Sequence, residues 1–139
     1  MCERRLRVYI AGPMTNGTGR NFNMEKIHEA IDAYFVLIDG GLVPHCPQLT
    51  VFCEFMKPNR ISYEQWMKLD AAYIDDSDVV LRIPGPSAGA DKECKYALSR
   101  GKPVVVGLDN FLCWYDSTGM RQHPFVEAPN ETTVANSVT

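Results

Sequence analysis

VVLRIPGPSAGADKECKYALSRGKPVVV, residues 79 to 106, reads as a short apolar strand, a Pro/Gly/Ser loop, a helix, and a second apolar strand entered through Gly101. That is one βαβ unit, with Glu93 in the early part of its helix. In an open parallel sheet a ligand sits beyond the carboxyl ends of the strands, so the loop from Pro84 to Ala90 is where chemistry is expected.

The amino-terminal part repeats the pattern. Arg7 to Ala11 (RVYIA) is a β-rich run that stops at Gly12-Pro13, and the loop MTNGTGRN follows. Apolar residues Ile27, Ile31, Tyr34 and Ile38 then recur at helical spacing, with Asn21 or Asn23 as N-cap and Gly40-Gly41 as the stop. Leu42, Val43 and Pro44 give another short strand. Residues 45 to 60 show no clean period and read as an irregular lid or connection. Ser62 with Gln65 forms a capping box for the next helix, and Ile61 with Trp66 has the spacing of a hydrophobic staple. The stripe of that helix runs Tyr63, Trp66, Met67, Tyr73 and Ile74, and the position completing it is Asp70. A carboxylate on an inward face is the anomaly of this segment. Asp75, Asp76 and Asp78 precede the strand from Val79 to Ile83 and read as solvated turn residues. Beyond a last strand, Val104 to Leu108, the aromatic segment FLCWYDSTGMRQHPF looks irregular. The expected architecture is an α/β, Rossmann-like three-layer domain with a mainly parallel sheet of four or five strands. It spans residues 1–123, and 124–139, poor in large apolar groups, form a flexible tail.

Composition narrows the function. The net charge of −3 and pI near 5.6 argue against a nucleic-acid polymer as partner, which would call for a basic stripe. No apolar run approaches the roughly 20 residues that span a bilayer, and MCERRLRVYIAG has too short an apolar core for a signal peptide, so a cytoplasmic protein away from membranes is expected. The 5 cysteines form no C-x-x-C pair and read as reduced, mostly structural thiols. His28 and His123 lack ligand-spaced partners, so no metal site is expected.

Glu93, near a helix amino end, is expected to stay ionised with a low pKa, which suits a nucleophile or cation stabiliser. Such glutamates are common at helix starts, and what singles this one out is the setting, with Ser87 and Gly89 just before it. Asp70, desolvated by its apolar stripe, is expected to have a raised pKa suited to proton donation or an orienting hydrogen bond. Two carboxylates in contrasting environments are the usual equipment for cleaving a glycosidic bond, a chemistry that requires neither metal nor organic cofactor. Ser87, Gly85, Gly89 and the Gly17/Gly19 loop offer hydroxyl and N–H groups to a phosphate, without a Walker A or G-x-G-x-x-G pattern. Tyr9 points from its strand to one face near the crevice, and His45 lies just beyond the second strand, within reach of it.

YIAGPM at Tyr9 to Met14, Asp70 in WMKLDAAYIDDSD, and SAGADKE with Ser87 and Glu93 six apart together resemble the nucleoside 2-deoxyribosyltransferase superfamily. The likeness covers roughly residues 7 to 108. It is nearest the branch of (deoxy)nucleoside 5′-monophosphate N-glycosidases and their phage-encoded relatives. The resemblance implies that Glu93 is a nucleophile forming a glycosyl-enzyme intermediate, that Asp70 orients the sugar or assists proton transfer, and that Tyr9 positions Glu93. It places Gly12, Pro13, Met14, Arg20, His45, Ser87 and Gly89 around the substrate, and implies a homodimer in which Ser117 of a neighbouring subunit reaches the phosphate. Relatives acting on free nucleosides carry an aspartate six residues before the nucleophile. Here that residue is Ser87, which would tolerate an anionic 5′-phosphate where Asp would repel it. The implied activity is hydrolysis of a (deoxy)nucleoside 5′-monophosphate, with base transfer or turnover-free nucleotide binding as alternatives.

Overall fold

The structure, a computed structural model, describes residues 5–17 and 21–118. Arg20, His123 and the expected tail lie outside the described residues.

Strands β1 (Arg7–Ala11), β2 (Val43–His45), β3 (Val79–Arg82) and β4 (Val104–Val106) form one parallel sheet in the order β2-β1-β3-β4. Helix α1 (Met24–Asp39) links β1 to β2, and α4 (Ala88–Ser99) links β3 to β4 in the opposite direction across the sheet. A crossover of fixed hand then places these helices on opposite faces. The period of two along each strand sorts the core accordingly. Val8, Ile10, Val79, Leu81 and Ile83 pack with Ala30, Ala33 and Leu37 of α1 and with Phe111, Leu112 and Tyr115 of α5 (Leu108–Ser117). On the other face Tyr9, Ala11 and Val80 pack with Ile74 of α3 (Tyr63–Asp75) and with Ala90 and Ala97 of α4. The result is three layers, with β1 and β3 central and α3 packed on α4.

Several expectations need correction. Residues 45 to 60 are largely helical, with a 3-10 turn at Pro47–Thr50 running into α2 (Val51–Met56). Burial of Val51 and Gln48 orders this segment although it has no amphipathic period. The aromatic segment after β4, expected to be irregular, begins with α5, whose Phe111, Leu112 and Tyr115 fall on one buried face; β4 itself ends at Val106. In α1 the buried face runs through Ile27, Ala30, Ala33 and Leu37, which leaves Ile38 exposed. Tyr63 and Tyr73 of the α3 stripe are also largely exposed, and Ile74 is its fully buried member. Asp75 and Asp78 are bonded rather than simply solvated: Asp75 accepts from Tyr96 Oη (2.9 Å) and Arg100 Nε (3.0 Å), and Asp78 accepts from the Arg7 amide (2.8 Å).

Gly12 follows β1 against the end of β3, where a Cβ would stand 2.8 Å from Ile83 Cβ. Backbone bonding from the Ile83 amide to Ala11 O (2.7 Å) prevents the strands from yielding. Gly12→Ala is therefore expected to cost about 1–3 kcal/mol, as overpacking does, read as a lower midpoint in urea.

Candidate active site

Alternation along β1 and β3 points Tyr9 and Arg82 to the face covered by α3 and α4, the two helices that carry the carboxylates. The capping box starts α3 as its sequence predicts, with the Gln65 amide bonded to Ser62 Oγ (3.1 Å) and the Ser62 amide to Gln65 Oε1 (2.8 Å). This fixes the phase of Asp70, two turns on. Helix α4 starts at Ser87, whose Oγ accepts from the Ala90 amide (3.0 Å). Ser87 is thus first of all an N-cap, and its hydroxyl keeps its proton for a further acceptor.

The helices bring Asp70 and Glu93 together over β1. Tyr9 is 0% exposed and Glu93 9% exposed, and the Tyr9 hydroxyl donates to Glu93 Oε2 at 2.8 Å. Asp70, on the facing helix, is near enough to both Glu93 and Tyr9 for the three groups to perturb one another's ionisation. Burial, followed by the neighbouring Asp70 charge, pushes Glu93 up to about 8, which corrects the expectation of a low pKa. The helix-terminal field is worth about 1 kcal/mol or less at the surface, whereas desolvation of a buried carboxyl can move it by several units, so burial wins. Asp70 is raised as well, chiefly by burial, in line with its place on the stripe. With Glu93 pushed up to about 8 beside a second raised carboxyl, the pair retains a proton near neutral pH. Burial, then the charges of Glu93 and Asp70, raises Tyr9, so the phenol remains a donor throughout.

Around this centre the expected residues fall into three groups. His45, the last residue of β2, stacks on Tyr73 at 3.9 Å between ring centroids and lies 5.7 Å from the Tyr9 ring; burial lowers its pKa, so the imidazole is neutral. Gly12, Pro13 and Met14 continue β1 into the crevice, and Met14 O accepts from the Asn23 amide, 2.9 Å. Pro13 also lines a cavity of about 160 Å³ with Thr15, Asn16, Gly17, Asn23, Lys26 and Pro86. Gly89 lies beside Tyr63, where an added Cβ would meet the Tyr63 hydroxyl at 3.4 Å. Ser117 stands apart: α5 runs back from the carboxyl end of β4, so the helix carries Ser117 toward the opposite end of the sheet, where its Oγ donates to Trp114 O (2.8 Å).

Three residues escaped the sequence reading. Lys26 is on α1, its Nζ 3.0 Å from Glu29 Oε1 and close to Gly85. Tyr73, on the apolar stripe of α3, forms one face of the His45 stack. Arg82, 8% exposed, bonds the loop after β3. An arginine inside the otherwise apolar run VVLRI was the available signal for it. Among the described residues no group of three or more His, Cys, Asp or Glu could hold a metal ion, and no helix is long and apolar enough to cross a membrane.

A solved 2-deoxyribosyltransferase from the psychrotolerant bacterium Bacillus psychrosaccharolyticus is similar, with a TM-score of 0.56 and 24% sequence identity over 72% of this chain and 70% of that one; the two share their fold. No curated protein matches the chain. Residues 6–106, most of the sequence, match the family described as a domain of unknown function, DUF4406, and to that family the chain belongs.

Proposed function

We propose that this protein hydrolyses the N-glycosidic bond of a (deoxy)nucleoside 5′-monophosphate to free base and (deoxy)ribose 5-phosphate, with residues 1–123 as its catalytic domain. The observation that carries the reading is the buried hydrogen bond from Tyr9 to Glu93 Oε2 beside Asp70, at the carboxyl edge of a parallel sheet. Tyr9 engages Oε2 and leaves Oε1 as the attacking atom. For attack the proton passes from Glu93 to Asp70, so that Glu93 reacts as the anion. An Oε1–C1′ bond forms as the C1′–N bond breaks, and Asp70 gives its proton to the departing base. Water then attacks C1′, the Oε1–C1′ bond breaks, and the water proton returns to Asp70.

A monophosphate, rather than a free nucleoside, is supported by Ser87 in place of an acidic residue and by the cavity lined by Lys26, Asn23 and Asn16. Its cation and amides suit a phosphate. The structural neighbour's description as a 2-deoxyribosyltransferase, a biocatalyst for nucleoside synthesis, favours a second reading in which another base replaces water.

The test is to incubate wild type and Glu93→Ala with a panel of ribo- and deoxyribonucleoside monophosphates, including 5-substituted pyrimidines, and to follow free base by chromatography. Wild type is expected to release base, and the variant at least about 10³-fold less. A new nucleotide formed only when a second base is added assigns transfer instead. Tight binding of a nucleotide with no released base sinks both enzymatic readings.

A further inference from the structure

Arginine is seldom buried unless each of its donors is used, and Arg82 ends a central strand almost out of reach of water. Its guanidinium donates to Ile83 O, to Gly85 O (3.0 Å) and to Asp91 Oδ1 (2.9 Å). These acceptors belong to the end of β3, the following loop and the first turn of α4. Gly85 takes φ +128°, a conformation open to glycine, in the turn that presents its carbonyl to the arginine. One planar fork thus ties together the three pieces that lead to Glu93.

The same group carries charge. The groups that act on Glu93 are Tyr9 from β1, Asp70 from α3 and Arg82 from β3, and Cys94 on its own helix adjoins Glu93, Arg82 and Asp91. Tyr9 is neutral and Asp70 repels an ionised Glu93, whereas Arg82 favours it. Asp91, its side chain 65% exposed, pairs with Arg82 Nη2 at 2.9 Å.

We propose that Arg82 is a positioning residue for Glu93, clamping the loop and first turn of α4 to β3 while its positive charge offsets part of what disfavours the Glu93 anion, and that Asp91 tunes this charge through its bond to the guanidinium. The proposal rests on Glu93 being the nucleophile as read above, but its test needs no substrate. The Glu93 carboxyl is followed by ¹³C NMR titration, assigned with Glu93→Gln, in wild type, Arg82→Met, Arg82→Lys and Asp91→Asn.

Loss of the charge in Arg82→Met is expected to move the Glu93 titration up by about one pH unit. Arg82→Lys restores part of that shift because it keeps the charge and loses the fork. Asp91→Asn leaves Arg82 less neutralised and moves the titration the other way, to lower pH. Opposite shifts in the arginine and aspartate variants support the proposal. A folded Arg82→Met with an unchanged titration, or an Asp91→Asn shift upward, overturns it. If Arg82→Met fails to fold, the sign of the shift in the surface variant Asp91→Asn decides. A wild type that releases no base from any nucleotide defeats the reading of function, and the titration result stands apart from it.

Discussion

At pH 9 the Glu93→Gln variant should melt at a higher temperature than wild type while releasing far less base. Glu93 titrates near 8 in the fold against an ordinary value of 4.5, so the native state binds this proton more tightly than the unfolded chain. A raised folded pKa contributes stability that is full below about pH 4.5 and is lost as pH rises through about 8. Above that window wild type carries an ionised carboxylate that is 9% exposed beside a second one. The amide has nearly the same volume and no charge. Its gain at pH 9 is roughly 2–4 kcal/mol, scaled down from the full linkage value because water reaches part of the crevice. Near pH 5 the two proteins should melt alike. Melts at pH 5, 7 and 9 check this, and parallel curves for the two proteins would contradict the buried, proton-sharing pair. Turnover falls by about 10³-fold or more, since an amide oxygen cannot form the ester intermediate.

The second large effect is expected for Asp70→Asn. Removing this carboxyl takes away the proton donor for the departing base, worth about 10²–10⁴ in kcat. It also removes a charge that raises Glu93, so Glu93 ionises at lower pH. The two consequences separate with the choice of leaving group. A natural base that must be protonated suffers the full loss, whereas a 5′-phosphorylated sugar bearing a phenolate-type leaving group suffers little, because it departs as a stable anion. Equal losses on both would show that Asp70 orients the sugar instead of donating a proton.

What could be read from the chain before folding depended on how local the cause was. The capping box of Ser62 and Gln65 lies within four residues and appears as expected. So does the sheet, because the runs at Val8 and Val79 bury nearly continuous apolar stretches on both faces. Asp70 was visible as a carboxylate interrupting an apolar stripe. The protonation of Glu93 was not visible. It depends on Asp70, 23 positions earlier, and on Tyr9, 84 positions away, both brought near only by the fold. Helix α5 lacks a side-chain cap at Gly107, and α2 is barely more than one turn, so neither announces itself locally. The Arg82 clamp depends on the turn at Gly85 and on the first turn of α4, and no spacing rule encodes it.

The bonds at the far end of the helical layer also bear on how the two carboxylates move. Asp75 of α3 takes bonds from Tyr96 of α4 and from Arg100 just beyond it, while its carbonyl accepts from Lys102 Nζ (3.2 Å). Asp75 lies five residues past Asp70, about 7.5 Å along its axis, and Tyr96 three past Glu93, about 4.5 Å. The fastening is therefore offset from the reacting atoms by only one or two helical turns. Helices pinned so close to the carboxylates have a short lever arm, so tilting about the rivet displaces Asp70 and Glu93 little. The relative placement of Asp70 and Glu93 is thus held by polar side chains of the same two helices, one or two turns away.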